Sequence, residues 1–314
     1  MQNMQVSSVM ASTRSIHSRE AIFIALAAGY SSIFWKAIAA VSALAWHVDE
    51  YTHILLILPL SLSLIYLERG KLRRNVKYSP LPGLILGLLS VAIAILGKTY
   101  LAQFNGISLS IAIFSLVMFW MACIAGCYGS AVFRSLLFPL LFLFLLVPPP
   151  SFLLDKAIYG LQVASTEATV SLFKLSGLPV LKNGFLLTFP TLQIEVAKEC
   201  SGIRSSIMLL LTGLILAHLF LRSLWSKIVF ILFIVPFSIA KNAIRIFTLS
   251  ILSMYVNPGF LYGRLHHEGG IVFFLIALAG LLALLWILQR AEARSTPKDA
   301  PLSASPSSSA IKRS

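Results

Sequence analysis

Runs of mostly apolar residues long enough to cross hydrocarbon recur along this chain, and they constrain it more than any other feature. Between Leu81 and Gly97, and again between Ile271 and Gln289, no charged side chain interrupts the sequence. A backbone in a bilayer must satisfy its N–H and C=O groups without water, so only helices or closed barrels can span it, and a helix needs about 20 apolar residues to do so. Only 11% of the 314 residues are charged and 58% are hydrophobic, a balance that leaves no surface for a water-soluble domain. The expected fold class is an all-α polytopic membrane protein.

Hydropathy and helix breakers predict eight spans, at about 21–46, 52–68, 81–98, 107–126, 130–148, 201–221, 226–254 and 270–289. The first carries Gly29 and Lys36, and a shorter tilted helix followed by an interfacial one is the alternative there. The net charge of +14 resides in short Lys/Arg clusters between apolar runs, which is a topological pattern and not a nucleic-acid surface. Arg69, Lys71, Arg73, Arg74 and Lys77, and then Arg222 and Lys227, mark cytoplasmic loops. Eight spans put both termini on that side, in the cell membrane. The expected organisation is a cytoplasmic segment 1–20, a transmembrane domain 21–289 containing an extracytoplasmic insertion 149–200, and a disordered cytoplasmic tail 290–314. Residues 1–20 precede an apolar stretch too long for a signal-peptide core, so it is read as a retained span.

The insertion opens after Pro148, Pro149 and Pro150, which end the fifth span. Leu154, Ile158, Leu161, Ala168, Leu172 and Leu175 then recur at helical spacing up to Gly177 and Pro179, predicting an amphipathic helix over 153–176 on the outer interface. Asn183-Gly184 between apolar runs, followed by alternation through Leu192, Ile194 and Val196, predicts a small β-hairpin that delivers the chain to Lys198-Glu199-Cys200.

Of the three cysteines, Cys123 and Cys127 lie one helical turn apart in the fourth span with no second ligand pair, and packing accounts for them. Cys200 is different. It stands at the start of the sixth span, near the positive end of a helix dipole and one turn before Arg204, both of which favour thiolate, although Glu199 opposes them. Lys241, Asn242 and Arg245 lie inside the seventh span, where charge is costly and marks function or a structural pair. The loop before the eighth span brings Arg264, His266, His267 and Glu268, and Gly269-Gly270 permits close approach to the bundle. The topology gathers Cys200, Arg245 and His266 or His267 near the outer face. A nucleophile, a proton carrier and a cation for the developing oxyanion are what acyl transfer through a thioester requires. Asp49, Glu50 and His53 share that face and could hold a metal, but no HExxH spacing accompanies them, and no metal or other cofactor is expected.

At these residues the chain resembles the exosortase/archaeosortase family of integral membrane cysteine transpeptidases. The resemblance rests on Glu199-Cys200-Ser201-Gly202-Ile203-Arg204-Ser205, on Asn242-Ala243-Ile244-Arg245-Ile246, and on a histidine followed by Gly270 and Phe274. Looser likenesses are the prolines at 148–150, Gly177-Leu178-Pro179-Val180, Asn183-Gly184, and Tyr51-Thr52-His53, where the family more often has Tyr-Ser-His-Gly. Together they span roughly residues 45–285. The resemblance implies Cys200 as nucleophile, Arg245 as transition-state or proton-handling partner, and His266 or His267 as base, with Arg204, Asn242 and His53 in supporting or substrate-binding positions. It implies as substrates exported proteins with a C-terminal sorting signal (a short motif, a spanning helix and a basic end), cleaved at the outer surface. Membrane lipids are the other expected partners, and nucleic acid is not. The residues alone also admit a transporter or polysaccharide-export component without peptidase chemistry, or a scaffold. No inverted repeat or pair of broken helices supports a transporter.

Overall fold

The computed structural model describes residues 19–72, 80–100, 107–190, 192–198, 202–257, 259 and 270–295. Helices dominate: α1 Arg19–Ile33, α2 Trp35–His47, α3 Ile54–Leu67, α4 Arg69–Leu72, α5 Pro80–Tyr100, α6 Ile107–Tyr128, α7 Ser130–Ser135, α8 Leu137–Phe142, α9 Ser151–Leu175, α10 Ile203–Phe220, α11 Leu224–Tyr255 and α12 Gly270–Ser295, with 3-10 turns at Asp49–Tyr51 and Leu143–Leu146. Six of the described helical segments are long and apolar enough to cross a membrane unbroken, and two bent pairs raise the count to as many as eight. This is an all-α polytopic membrane protein carrying one small sheet.

Two of the expected spans are not straight helices. The first bends by 75° between α1 and α2, at Phe34. The fifth is α7, α8 and a 3-10 turn in series, broken at Leu136, where Pro139 lies within the first turn of α8 and has no N–H to continue the ladder. It still crosses the bundle. α7 lies beside α4 at one end, the lower, where Glu68 meets His218 at 3.0 Å. At the other end, the upper, the Ser110 hydroxyl donates to the Pro148 carbonyl at 2.7 Å and the Tyr51 hydroxyl to that of Pro149 at 3.2 Å.

Beyond Pro150 the chain turns by 96° into α9, close to the predicted 153–176. The face that α9 buries shares only Ile158 with the predicted apolar stripe, whose Leu154, Leu161, Ala168 and Leu172 are half-buried. Gln162, Ser165, Thr166 and Thr169 are buried together with Ile158, Val170 and Phe173, while Leu175 points outward. The two threonine hydroxyls can be buried here because they bond back to their own helix, Thr166 to the Gln162 carbonyl and Thr169 to that of Ser165, each at 2.7 Å, and short side chains let α9 lie close to α11.

The sheet has three antiparallel strands in the order β1 Leu181–Asn183, β2 Leu186–Thr188 and β3 Gln193–Glu195. Asn183 pairs with Leu186, so the two-residue turn is Gly184-Phe185, one position later than an Asn-Gly turn, with Gly184 at φ +60°. The alternation holds: Ile194 and Val196 are buried with Leu187, Phe189, Phe173 and Ile246, so the sheet is seated on α9 and α11.

α12 continues to Ser295, past the expected end near 289. Ala291, Ala293 and Arg294 favour helix, and the Glu292 carboxylate accepts the Arg222 and Ser223 backbone N–H groups at 3.1 and 2.8 Å. The rest of the tail, 296–314, lies outside the described residues, as do residues 1–18.

The tightest helix pair is α5 with α6. A Cβ built on Gly83 would stand 2.5 Å from the Gly126 Cα and 2.7 Å from the Ala122 carbonyl oxygen. Backbone cannot yield as a side-chain tip can. Gly83→Ala should therefore destabilise the protein by about 1–3 kcal/mol despite alanine's better helix propensity, read as a lower thermal midpoint of the detergent-solubilised protein.

Candidate active site

α10 begins on Gly202, whose φ of +70° and ψ of +20° are left-handed, a conformation that costs an L side chain roughly 1–2 kcal/mol. Space enforces glycine as well: a Cβ there would lie 2.9 Å from Asn242 Oδ1. The Gly202 carbonyl accepts the Ser206 N–H at 2.9 Å and the Ser205 hydroxyl at 3.0 Å, closing the first turn of α10. Cys200 precedes this turn by two residues in the sequence.

α11 lays its polar face against that turn. Lys241 and Asn242 are only 4% and 1% exposed, and the Lys241 ammonium donates to Ser205 Oγ. Arg245, one helical turn beyond Lys241 on the same face, is half-buried. A lysine so deeply buried in an apolar bundle forfeits hydration worth several kcal/mol, which is why charge at such depth is rare.

From the other side comes the turn Asp49–Tyr51. Arg204 Nη1 meets Asp49 Oδ1 at 3.0 Å, but with side chains 58% and 75% exposed this pair contributes at most about 1 kcal/mol. His53 is buried, and its Nδ1 lies 3.0 Å from the Glu50 carbonyl oxygen. A carbonyl only accepts, so Nδ1 carries a proton. The strand leading toward Cys200 is anchored by Gln162 of α9, whose amide donates to the Val196 carbonyl.

The structure thus brings Arg204, Asn242, Arg245 and His53 to the upper end of the bundle. Cys200, His266 and His267 lie outside the described residues, as do Arg264 and Glu268. The helix ends that flank the histidines in sequence, α11 at Tyr255 and α12 at Gly270, both face the upper end. Cys123 and Cys127 are buried free thiols on α6. Among the described residues no group of three or more His, Cys, Asp or Glu side chains is placed to hold a metal. Sequence reading singles out Lys241 but misses its partner Ser205 and the anchor Gln162. The four-residue spacing of Lys241 and Arg245, which puts both on one helix face, is the available signal.

A polytopic bundle with a buried lysine against the turn that opens α10, two residues after Cys200 in the sequence, defines the class. The family model described as transmembrane exosortase matches residues 46–283, from just before the Asp49 turn to well inside α12, and the chain belongs to that family. No curated protein and no solved structure matches it significantly.

Gly202→Ala should lower stability by about 1–3 kcal/mol through strain and the clash with Asn242. In a double-mutant cycle with Asn242→Ala the two losses should be less than additive, measured as thermal midpoints of the purified variants.

Proposed function

We propose that this exosortase is a membrane-embedded cysteine protease and transpeptidase acting at the extracytoplasmic face. The observation that carries the reading is the seating of Lys241 and Asn242 against the left-handed Gly202 turn, two residues past Cys200, with Arg245 one helical turn beyond Lys241 on the same face. In this mechanism the Cys200 thiolate attacks the scissile carbonyl carbon, and the oxyanion that develops is stabilised by Arg245. The C–N bond then breaks, and the departing amine takes the proton that His266 or His267 removed from the thiol, leaving an acyl thioester. Water or an acceptor nucleophile attacks the thioester, and the thiolate is released.

The substrates in this reading are exported proteins ending in a sorting motif, a spanning helix and a basic end. Binding the substrate helix among the spans would supply the proximity term by holding the scissile bond near Cys200. The sidedness follows from charge. Arg69, Arg134, Arg222 and Arg290 belong to segments at the lower end, and the positive-inside rule makes that end cytoplasmic, with both termini there and the upper end outside in contact with lipid headgroups.

A gel-mobility assay of a co-expressed membrane reporter carrying a candidate C-terminal sorting signal tests the proposal. Wild type should shorten the reporter. Cys200→Ala should leave it intact at equal expression, Arg245→Ala should slow processing at least roughly a hundredfold, as loss of an oxyanion stabiliser does, and comparison of His266→Ala with His267→Ala should identify the base. Normal processing by Cys200→Ala would exclude the cysteine mechanism and return the transporter and scaffold readings.

A further inference from the structure

Lys241 is the deepest cation among the described residues, and the proposed chemistry leaves it without a task. Its ammonium reaches across from α11 to the Ser205 hydroxyl of α10. That hydroxyl cannot be a bystander: it accepts from Lys241 and in turn donates to the Gly202 carbonyl at 3.0 Å. The three groups form one chain of hydrogen bonds from a buried charge on one helix to the backbone of the left-handed turn on which the next helix starts. Asn242, the neighbour of Lys241, lies beside the same turn, its Oδ1 2.9 Å from the place a Gly202 Cβ would occupy. The turn is thus held by a charge-assisted bond from α11, Asn242 leaves room there for glycine alone, and Arg204, two residues along, ties the same helix start to Asp49.

We infer that Lys241 is a positioning residue that acts through Ser205: it locks the Gly202 turn, and so fixes the helix start that follows the nucleophile. The inference rests on the proposed cysteine mechanism for its catalytic consequence, but not for its structural content. Lysine suits the task because its ammonium is a compact point donor at the end of a long stem, able to satisfy a hydroxyl across a helix interface. The arrangement has a stability cost. A buried ammonium is desolvated, and exchanging a buried charge for an apolar side chain of similar shape is often neutral or stabilising. A positioning role therefore leaves a distinctive mark, in which the substitution that lowers activity does not lower stability.

The test is a cycle of Lys241→Met, Ser205→Ala and the double variant in full-length protein whose Cys123 and Cys127 are replaced by alanine. Two quantities are read for each: the rate of Cys200 alkylation by N-ethylmaleimide in membranes, and kcat and KM for reporter cleavage. Each single variant should slow alkylation and lower kcat roughly tenfold, the loss expected for one hydrogen bond to a charged group, with KM unchanged. The double variant should be no worse than Lys241→Met alone, Ser205→Thr should retain most of the wild-type rate because it keeps the hydroxyl, and the thermal midpoint of Lys241→Met should equal or exceed that of the parent. Single effects that multiply in the double variant would overturn the inference, as would wild-type alkylation and kcat in Ser205→Ala. So would a loss of activity in Lys241→Met matched by an equal loss of stability. The two readings fail separately. Reporter cleavage by Cys200→Ala refutes the cysteine mechanism, whereas the alkylation cycle reports on the turn whether or not the protein is a peptidase.

Discussion

Every irregular piece of backbone in this protein has to find a hydrogen-bond partner that lipid cannot provide, and the architecture follows from how that is met. The fifth crossing is the clearest case. Broken at Leu136 and holding Pro139, it could not face hydrocarbon alone, and it does not: Val132, Leu136, Leu140 and Leu143 are buried against α2, α3 and α6, and Ser61 of α3 donates to the Pro139 carbonyl at 2.8 Å. The intact α5, by contrast, turns Leu84, Ile85, Leu88 and Leu89 outward, as a helix with all its bonds internal can.

The same requirement builds the upper end. The connectors there are prolines, turns and short strands, and side chains from three segments reach their carbonyls: Tyr51 at Pro149, Ser110 at Pro148 and Gln162 at Val196. Each bond holds a stretch of backbone that has no helical ladder of its own. The route from the fifth crossing to α10 is thereby fixed at several points, although it contains no long element besides α9. Placing reactive groups on such a framework is how a site can be ordered to within fractions of an ångström while sitting on loops and helix ends. The lower end is closed differently, with Glu292 capping the start of α11 and the His218 ring stacked 3.8 Å above Phe138 while bonded to Glu68.

Much of this is legible in the residues. Hydropathy locates the crossings, because a span needs a fixed length of apolar sequence and nothing nonlocal. Pro148–Pro150, Gly177 and Asn183-Gly184 mark the limits of α9 and the hairpin, because proline and glycine act on their own backbone. The buried face of α9 is not legible, for the opposite reason. Counting Leu154, Ile158, Leu161, Ala168, Leu172 and Leu175 as one apolar stripe assumes that water lies on the other side, whereas here α11 packs along α9, Gln162, Ser165 and Thr169 are buried beside Ile158, and Thr169 bonds within its own helix.

The sequence by itself determined that the chain is a helical membrane protein, where its crossings fall, and that Cys200, Arg245 and a histidine pair are its chemical candidates. These are statements about local composition and motif, and each residue carries its own share of them. Only the tertiary structure decided that the first and fifth crossings are bent, that Ser205 answers Lys241, and that Gly202 is pinned by Asn242. Those facts depend on which faces of two helices meet and how closely, and the side chains concerned stand 36 and 40 positions apart in the sequence. No periodicity within either helix encodes the other, so the contact exists only once the bundle has closed.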